Sequence, residues 1–428
     1  MSTSISTPIS ISTAGRTTTE PPRRPWPKGG HTRIPAWIYS DPELYKREMD
    51  ILFAGHGWSF VGLECELPEV GSFKRAWIAD RQVIVVRDKD GINVVENRCS
   101  HRGGAIVWSN RGKVRNLVCP YHQWGFSLKG DLTGVALKRG VHGVGGMPDD
   151  WDNSKWGLRK LRVATKGGTI WATFSDEVPE FDAYCGPELK ARLDRLLPGR
   201  PLELLGYSRQ RIPCNRKLYF ENTRDPYHGT LLHTFFITFG LYRADSKHAT
   251  GSTMGGRHST NYAAPGDRKE GMDVKQELQR YRELVLNDME QVKFVDEYGD
   301  GEMSALQVWP GAFVQQHANI LAIRSIIPNG VESVEVDWTY FGYADDSEEI
   351  RRVRLKQANL LGPSGFVSMD DSELLKQIQN QVRGYTEGVG VVEMGGRGTE
   401  PQMTMATELG IRAFYKLYIE LMGFEVEA

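Results

Sequence analysis

The sequence lacks any long apolar run. No stretch approaches the roughly 20 apolar residues that a membrane-spanning helix requires, so we expect no membrane segment. An excess of one charge sign is also missing, since 53 Lys and Arg residues stand against 54 Asp and Glu residues, a net charge of -1. This balance gives no basis for binding nucleic acid or an anionic membrane surface.

Cysteine is scarce, with 5 residues in 428. Cys99 and Cys119 stand in the paired motifs described below. The other three, Cys65, Cys185 and Cys214, are scattered and odd in number, which argues against a disulfide framework and favours a reducing cytoplasm. A G-x-G-x-x-G between a strand and a helix is missing too, so we expect no nicotinamide site in this chain.

The N-terminal residues up to Gly29 have few large apolar side chains and many Ser, Thr and Pro residues. This composition predicts a disordered tail rather than a secretory signal. Ordered structure is expected to begin near Arg33. The pair Asp41-Pro42 predicts a helix start, with Asp41 as the N-cap and Pro42 at the first helical position.

Two short motifs each combine one Cys with one His. Cys99-Ser100-His101 is followed after seventeen residues by Cys119-Pro120-Tyr121-His122. Two Cys and two His could hold structural zinc, but zinc fingers usually place a Cys pair before a His pair. Mixed loops suit a Rieske [2Fe-2S] cluster, in which one iron takes both cysteines and the other takes both histidines. The remaining alternative is four unrelated buried residues.

The second informative stretch runs from Asn222 to His233. Asp225 and His228 are three residues apart and would share one face of a helix. His228 and His233 are five apart, so a regular helix must break between them if both are to reach one metal ion. Two His residues and one carboxylate form a triad that leaves positions free on a non-heme iron.

The third ligand of such a triad would come from another part of the chain. Asp370 and Asp371 lie at the start of a predicted helix, where acidic residues are also ordinary partners of the helix dipole. Composition alone does not choose between the two carboxylates.

Taken together, the two motifs resemble those of the catalytic α subunits of Rieske non-heme iron aromatic-ring oxygenases, over nearly the whole chain after the tail. The resemblance implies that His228, His233 and Asp371 hold the mononuclear iron. Asp225 would match a bridging aspartate, which hydrogen-bonds one ligand His and a cluster His of the neighbouring subunit. Asn222 would match a polar residue near the iron.

The implied fold is α+β, with an all-β Rieske [2Fe-2S] domain and a helix-grip catalytic domain built on an antiparallel sheet. We therefore expect four parts: a tail over 1–29, an N-terminal helix packed on the catalytic domain over 30–54, a Rieske domain over 55–165, and a catalytic domain binding Fe(II) over 166–428. The implied assembly is a homotrimer, or α3β3 with a small β subunit. Electrons originating from NAD(P)H would arrive through a separate ferredoxin or reductase.

The run from Leu355 to Gly365 is most similar to the oxygenases for substituted benzoates, including terephthalate, salicylate and anthranilate. Arg324 matches an arginine that meets the substrate carboxylate in the terephthalate members, the alternative being a structural or surface arginine. Met405 stands where those members have a second arginine, although Arg397 could substitute for it. Arg216 departs from the family, whose members commonly have Trp there.

One cation and a Met wall suit a substrate with one carboxylate. We therefore predict hydroxylation of an ortho-substituted benzoate with dioxygen. Anthranilate, converted to catechol by a 1,2-dioxygenase, is the first choice, and salicylate and terephthalate are the alternatives. Two other interpretations stay open. A Rieske-type monooxygenase of the ketosteroid or demethylase kind would keep both metal sites but change the pocket. A Rieske electron carrier, a different class of protein, would need only the first motif.

Overall fold

The N-terminal region is ordered earlier than expected. The computed structural model describes residues 24–239, 241–244, 246–264 and 286–428, so most of the predicted tail, residues 1–23, lies outside the described part. Trp26 is fully buried, and its ring lies 5.5 Å from that of Tyr415. Its backbone forms a β-bridge with Val426. Packed structure therefore begins before residue 29.

Two short elements follow, strand β1 (Arg33–Pro35) and helix α1 (Pro42–Glu48). Helix α1 begins as predicted, because the Asp41 carboxylate accepts hydrogen bonds from the backbone N–H groups of Glu43 and Leu44, at 2.8 and 3.0 Å. The chain continues into a π-helical segment, Met49–Gly55. Leu44 and Leu52 belong to the same hydrophobic core as the second sheet described below.

The next part of the chain is all-β. Its strands are β2 (Ser59–Leu63), β3 (Ser72–Ile78), β4 (Arg81–Asp88), β5 (Gly91–Glu96), β6 (Arg111–Lys113), β7 (Leu117–Val118), β8 (Gly125–Phe126), β9 (Leu132–Gly134), β10 (Lys160–Lys166) and β11 (Thr169–Thr173). One antiparallel sheet has the order β2-β11-β10-β5-β4-β3-β6, and β7-β8-β9 form a small second sheet.

Strand β11 pairs with both β10 and β2. The sheet therefore extends beyond residue 165, where the sequence placed the end of this domain. The division of the chain into domains stays a prediction, but this hairpin belongs structurally to the first sheet.

The remaining chain mixes helices and strands. Its elements are α2 (Phe181–Leu196), β12 (Leu202–Ile212), α3 (Arg216–Asn222), α4 (Thr234–Phe239), β13 (Lys247–Thr253), β14 (His258–Ala264), β15 (Met303–Val308), β16 (Ala312–His317), β17 (Ile320–Pro328), β18 (Val334–Tyr343), α5 (Glu348–Leu361), α6 (Ser368–Gly384), β19 (Val389–Val391) and α7 (Leu409–Met422). Seven strands form an antiparallel sheet in the order β12-β18-β17-β16-β15-β14-β13, and β19 pairs with β1. The predicted α+β class with an antiparallel sheet is confirmed.

The two faces of this second sheet have different neighbours. Successive side chains of a strand point to opposite faces. Thr260 donates to Glu188 of α2 at 3.0 Å, so α2 covers the face to which Thr260 points. Gln307 points to the other face and donates to the Phe220 carbonyl of α3 at 3.0 Å. The candidate iron ligands lie on this second face.

A buried ionic cluster fastens α3 to its surroundings. Lys217 and Glu48 are fully buried and 2.8 Å apart, and Arg216 lies 3.4 Å from the same carboxylate. Tyr418 of α7 also donates to Glu48. The pairing accounts for an arginine at position 216, because Glu48 supplies the negative charge that a buried cation requires.

The helices of this protein differ in length and polarity. None of those in the described part of the chain is long and apolar enough to cross a bilayer. A cytoplasmic location stays a prediction.

Candidate metal centres and active site

The two Cys-His motifs form two tight loops in the all-β region, one between β5 and β6 and the other between β7 and β8. In the first loop, Cys99 N–H donates to the Gly104 carbonyl at 2.8 Å, and Gly103 N–H donates to the Cys99 carbonyl at 2.9 Å. In the second loop, Cys119 N–H donates to the Trp124 carbonyl at 2.9 Å. Gly103 has a φ of 78°, a backbone conformation that glycine adopts at little cost. The loops are therefore held by their own backbone hydrogen bonds.

The four candidate ligands are arranged in two layers. Cys99 and Cys119 are buried, with 3% and 2% exposure. The rings of His101 and His122 lie 4.7 Å apart, nearer the solvent, and His101 stacks on Trp124 at 4.6 Å. Two buried thiols below two outer imidazoles fit a [2Fe-2S] cluster whose histidine-bound iron faces outward.

Burial also affects the chemistry of these thiols. It raises the pKa of the Cys99 thiol, and the neighbouring Cys119 adds to the rise. A buried thiol of this kind is inert as a nucleophile, whereas bound metal ions favour its thiolate form.

The second centre is built on a broken helix, as the His spacing predicted. Helix α3 ends at Asn222, a 3-10 turn covers Tyr227–Thr230, and α4 begins at Thr234. The break turns His228 and His233 toward the same point, where Asp371 from the first turn of α6 meets them. One ligand atom from each of the three residues lies within 4.8 Å of the other two.

The contacts within this triad are close. His228 Nε2 lies 3.4 Å from Asp371 Oδ1, and His233 Nε2 lies 3.3 Å from the same oxygen. Asn222 Nδ2 donates to Asp371 Oδ1 at 3.0 Å and lies 3.3 Å from His228 Nε2. Two imidazole nitrogens and one carboxylate oxygen that converge on one point fit a mononuclear Fe(II) site.

A second pair of carboxylates lies behind the imidazoles. Asp225 Oδ2 is 3.1 Å from His228 Nδ1, and Asp370 Oδ2 is 3.4 Å from His233 Nδ1. A carboxylate at Nδ1 fixes the tautomer in which Nε2 is free to bind a metal ion. The sequence offered Asp370 and Asp371 as competing ligands, and the structure gives them different positions in the same site.

The ionisation of the triad follows from these contacts. Burial alone would lower the pKa of His228, but hydrogen bonds to Asp225 and Asp371 outweigh burial and raise that pKa to about 10. Burial works to raise the pKa of Asp371, and its hydrogen bonds to His228 and His233 instead hold that pKa well below the usual range. The site is therefore strongly suited to positive charge, and a divalent metal ion would replace the imidazolium proton.

Gly229 lies in the 3-10 turn between the two histidines. Its conformation is not left-handed, but a Cβ atom at this position would lie 2.9 Å from the ring of Tyr242. Glycine is therefore needed here for the close approach of Tyr242, which also lines the cavity beside the triad.

A cavity of about 100 Å³ adjoins the triad. The second sheet forms its floor, and the lining from that sheet includes Asn261, Tyr262, Ala263, Met303, Ser304, Ala305, Phe313, Gln315, His317 and Arg324. Phe236, Leu361 and Val367 add apolar walls. Burial lowers the pKa of His317 to about 3, so this imidazole is neutral at physiological pH.

Arg324 is the cation of this cavity. It is 7% exposed, its guanidinium lies 3.8 Å from the centre of the Trp338 ring, and one of its Nη atoms donates to the Tyr219 hydroxyl at 3.0 Å. Within the described residues, no carboxylate lies within ion-pair distance of Arg324. Its Nε atom is buried without a hydrogen-bond acceptor. A buried cation in this state favours an anionic ligand.

Met405 is not brought to the cavity, contrary to the prediction of a substrate contact. It is buried beside Thr230, whose hydroxyl lies 3.8 Å from the Met405 sulfur, and it is absent from the described cavity lining. Arg397 does not substitute for it, because that exposed side chain pairs with Glu393 at 3.0 Å. The loop before α7 therefore packs against the turn between α3 and α4 instead of forming a substrate wall.

Sequence reasoning missed Asn261, Gln315 and His317 on the cavity floor, and it gave Asp370 no role behind His233. A pattern for two of them was present in strand β16, where Gln315 and His317 follow Phe313 at alternate positions along one face. Polar residues at alternate positions of a buried strand indicate a lined cavity.

Comparison with known protein families agrees with both centres. A family profile described as Rieske [2Fe-2S] domain matches residues 57–143. A second profile, described as ring hydroxylating alpha subunit (catalytic domain), matches residues 193–423. The first range contains all four candidate cluster ligands, and the second contains the whole triad.

Curated relatives extend over almost the whole chain. The large oxygenase component of salicylate 5-hydroxylase from a Ralstonia species is 43% identical over 93% of this chain and 96% of its own length. The α2 subunit of the terminal oxygenase component of terephthalate 1,2-dioxygenase from a Comamonas species is 40% identical, over 94% and 98%. The large subunit of anthranilate 1,2-dioxygenase from Burkholderia cepacia is 38% identical, over 93% and 95%.

Solved structures share the architecture. Naphthalene 1,2-dioxygenase from a Rhodococcus species, solved with indole bound, superposes with a TM-score of 0.75 at 26% identity, covering 91% of this chain and 94% of its own. A quaternary ammonium Rieske monooxygenase gives a TM-score of 0.70 at 18% identity, over 91% and 94%, and is similar in fold alone.

Proposed function

The chain belongs to the family of ring-hydroxylating oxygenase α subunits, and we propose that it hydroxylates an ortho-substituted benzoate. Membership makes it an oxidoreductase that uses dioxygen, with a Rieske [2Fe-2S] cluster and a mononuclear iron, as the sequence predicted. An electron carrier is excluded, because a carrier would have no catalytic domain over 193–423.

The proposal rests on the position of Arg324 in the cavity. Arg324 is the only Lys or Arg among the described residues that line the cavity, and it has no carboxylate partner there. The walls around it are mostly apolar, and they suit an aromatic ring. A benzoate would place its carboxylate on Arg324 and its ring beside the triad.

One cation also favours one carboxylate over two. A terephthalate dianion would need a second cationic partner in a water-poor cavity. Met405 and Arg397 both lie outside the described lining, so they do not supply that partner. This preference for a monocarboxylate supports anthranilate, our first choice, and salicylate. Salicylate stands as the second candidate because the salicylate 5-hydroxylase component is 43% identical to this chain.

The protein groups act on the reaction by position and charge. When bound, the iron would offer dioxygen the positions that the three protein ligands leave free, and the cluster would supply electrons. His228 and His233 present Nε2, Asp371 supplies negative charge, and Asn222 holds the Asp371 carboxylate by a 3.0 Å hydrogen bond. Arg324 fixes the carboxylate end of the substrate, so that the ring carbon to be attacked stays in a reproducible position.

Electron delivery to the triad is proposed to cross a subunit boundary. The Asp225 carboxylate accepts from Tyr227 N–H at 2.8 Å and contacts His228, yet its side chain is 18% exposed. It can therefore accept a further hydrogen bond from outside the chain. In a head-to-tail trimer, one of the two outer cluster histidines of a neighbour would supply that hydrogen bond.

Exposed apolar side chains lie beside both metal centres, and they support this assembly. Trp108 and Tyr121, beside the cluster loops, are 71% and 62% exposed. Leu231 and Phe366, near the triad, are 66% and 64% exposed. Apolar surface of this kind marks contact sites. A ferredoxin or reductase as electron donor and a small β subunit complete the proposed assembly.

The experiment compares anthranilate, salicylate and terephthalate as substrates of the purified enzyme with its electron-transfer partners. Wild-type protein should prefer one of the two ortho-substituted monocarboxylates. Arg324→Met should lower kcat/KM for that substrate by about 100-fold, since a hydrogen bond to a charged group and a buried countercharge are both lost.

The matched control is Arg211→Met, which removes an exposed arginine from β12 that pairs with Glu335. It should leave kcat/KM unchanged. Preferential turnover of terephthalate, or an Arg324→Met enzyme with wild-type kcat/KM, would contradict the proposal.

A further inference from the structure

Gln315 is buried in the cavity floor with both ends of its amide unused. It is fully buried, and neither its Oε1 nor its Nε2 has a hydrogen-bond partner among the described protein groups. The next residue, Gln316, points to the opposite face and is satisfied. It accepts from Arg195 at 2.9 Å and donates to the Ala318 carbonyl at 2.8 Å. Buried amides are normally paired, so the contrast between these two glutamines requires an explanation.

The neighbours of Gln315 explain why no protein group covers its amide. Directly opposite it stand Ala305 on β15 and Ala322 on β17, and both carry only a methyl group. Strands lie about 4.8 Å apart, so small residues on both sides leave open space over the glutamine. That space is part of the cavity that also reaches the triad.

The sheet register places Gln315 next to Arg324. Phe313 is directly opposite Arg324, and Gln315 is two residues further along the same face of β16. Diagonal neighbours of this kind are about 7–8 Å apart at Cα, and their long side chains can reach one small ligand together. The amide is therefore adjacent to the cation that we assign to the substrate carboxylate.

We infer that Gln315 is a specificity residue, whose amide hydrogen-bonds the ring substituent next to the substrate carboxylate. The inference rests on the proposed function, since Arg324 sets the orientation of the ring. The Oε1 atom accepts from a hydroxyl or an amino group, and Nε2 donates to a hydroxyl oxygen. The ligand class is thus a benzoate with a hydrogen-bonding ortho substituent. Unsubstituted benzoate would leave the buried amide unpaired.

Asn261 is the second polar residue on this floor, with its Oδ1 atom also lacking a protein partner. It stands on β14, opposite Ala305, and is thus one strand further from Arg324 than Ala305 is. Strand spacing puts it about 10 Å from β16, on the side away from Arg324. Gln315 is therefore the better placed of the two for an ortho substituent.

The test is ligand binding by calorimetry, with the iron-loaded enzyme kept anaerobic so that no turnover occurs. Salicylate and anthranilate should bind wild-type protein about tenfold more tightly than benzoate, or better, because benzoate leaves the Gln315 amide unpaired. Gln315→Met keeps the length of the side chain and removes the amide. The preference should fall to about twofold or less, chiefly through weaker binding of the substituted ligands.

Two control variants isolate the effect. Gln316→Met removes a paired amide from the opposite face, and it should lower stability while it leaves the ligand preference unchanged. Asn261→Leu should change that preference less than Gln315→Met does. Equal binding of salicylate, anthranilate and benzoate by wild-type protein would overturn the inference even if Gln315→Met fails to fold.

The outcomes also separate this inference from the proposed function. If Arg324→Met weakens all three ligands but Gln315→Met preserves the preference, the role of Gln315 is wrong and the benzoate site stands. If Arg324→Met weakens none of them, the benzoate site itself is wrong, and the inference about Gln315 falls with it.

Discussion

The two metal centres of this protein are built in opposite ways. The candidate cluster ligands come from two loops between Cys99 and His122, and the backbone hydrogen bonds of each loop stay within that loop. The triad joins His228 and His233 to Asp371, more than 130 residues away in the sequence. The first centre therefore depends on local structure, and the second depends on how α3, α4 and α6 pack together.

The hydrophobic cores follow the same division. Cys99 and Cys119 lie in a small core with Phe126, inside the all-β region. The triad is surrounded by the large core that also contains Trp26, Leu52 and the second sheet. Residues far from the iron site in sequence, such as Glu48 beneath α3, therefore bear on its geometry.

Removal of one ligand from each centre should give the largest effects and should separate the centres completely. Asp371→Ala should lose mononuclear iron and all hydroxylation while keeping the cluster spectrum, because no cluster ligand depends on α6. Cys99→Ser should abolish the EPR signal of the reduced cluster. Iron analysis should fall from about three atoms per chain to about two for Asp371→Ala. Loss of the cluster spectrum in Asp371→Ala would contradict the independence of the two centres.

The connection between the centres is tested by Asp225→Asn, which should have the next largest effect. Asn keeps the size of the side chain and its ability to cap the turn at Tyr227, but it removes the charge that faces His228. Both centres should remain loaded, while oxidation of a chemically reduced cluster slows by about 10- to 100-fold. The measurement is a single turnover with substrate and dioxygen present.

A cap without a bridging role supplies the control. Asp288→Asn changes a residue that caps another short 3-10 helix, Met289–Val292, by accepting from Glu290 N–H at 3.1 Å. It should leave cluster oxidation unchanged. If cluster oxidation in fully loaded Asp225→Asn protein proceeds at the wild-type rate, Asp225 only caps the turn and does not connect the two centres.

Asp370→Asn tests a smaller contribution to the triad. The Asp370 carboxylate lies 3.4 Å from His233 Nδ1 and is 41% exposed, so it holds the imidazole less firmly than a buried carboxylate would. We expect iron affinity to fall about tenfold, against complete loss for Asp371→Ala. Titration of the metal-free catalytic site with Fe(II) measures the difference. Loss of all mononuclear iron from Asp370→Asn would mean that Asp370, and not Asp371, is the metal ligand of the pair.

The contrast between local and distant construction also explains what the sequence could predict. All four candidate cluster ligands could be singled out from the sequence, because each loop contains its own Cys and His at a short spacing. The break between His228 and His233 was predictable too, since no regular helix brings residues five apart onto one face. Both inferences use only neighbours in the sequence.

The cavity floor was not predictable in the same way. Gln315 and Asn261 share one face only because β14, β15 and β16 pair in a particular register. Met405 was misplaced, because its predicted position came from resemblance and the loop before α7 packs elsewhere. The carboxylate behind His233 was missed, because Asp370 and Asp371 are neighbours in the sequence and differ only in which nitrogen of His233 they contact in the fold.

A titratable carboxylate is buried in the catalytic core beneath the iron site. Glu221 directly precedes Asn222, and its carboxylate accepts from Tyr39 at 2.9 Å and also from Tyr415. Burial raises the pKa of Glu221 from 4.5 to about 7, although the two tyrosines and the cations Lys217 and Arg216 act to lower it. The folded protein therefore holds a proton there that the unfolded chain releases at lower pH.

The sign of the effect follows from this difference. Between pH 4.5 and about 7 the folded state binds more protons at Glu221 than the unfolded state does, so stability falls as pH rises through that window. The loss is complete above the folded pKa, and 2.5 pKa units correspond to about 3 kcal/mol at most. Glu221→Gln removes the loss, because the amide stays neutral and can still accept from the tyrosines. The variant should match wild type near pH 4.5 and exceed it by about 1–3 kcal/mol at pH 8.

Urea unfolding followed by circular dichroism at several pH values measures this difference, with the cluster absorbance as an internal reference for the all-β region. The gain in the free energy of unfolding should appear in the circular dichroism transition of the catalytic core. The urea concentration at which the cluster absorbance is lost should not change, because Glu221 contacts none of the cluster residues. Glu387→Gln, at a side chain that is 87% exposed, is the matched control. Its difference in unfolding free energy from wild type should stay the same at every pH. A Glu221→Gln protein less stable than wild type at pH 8 would contradict the raised pKa. It would show that ionised Glu221 stabilises the core through its attraction to Lys217 and Arg216.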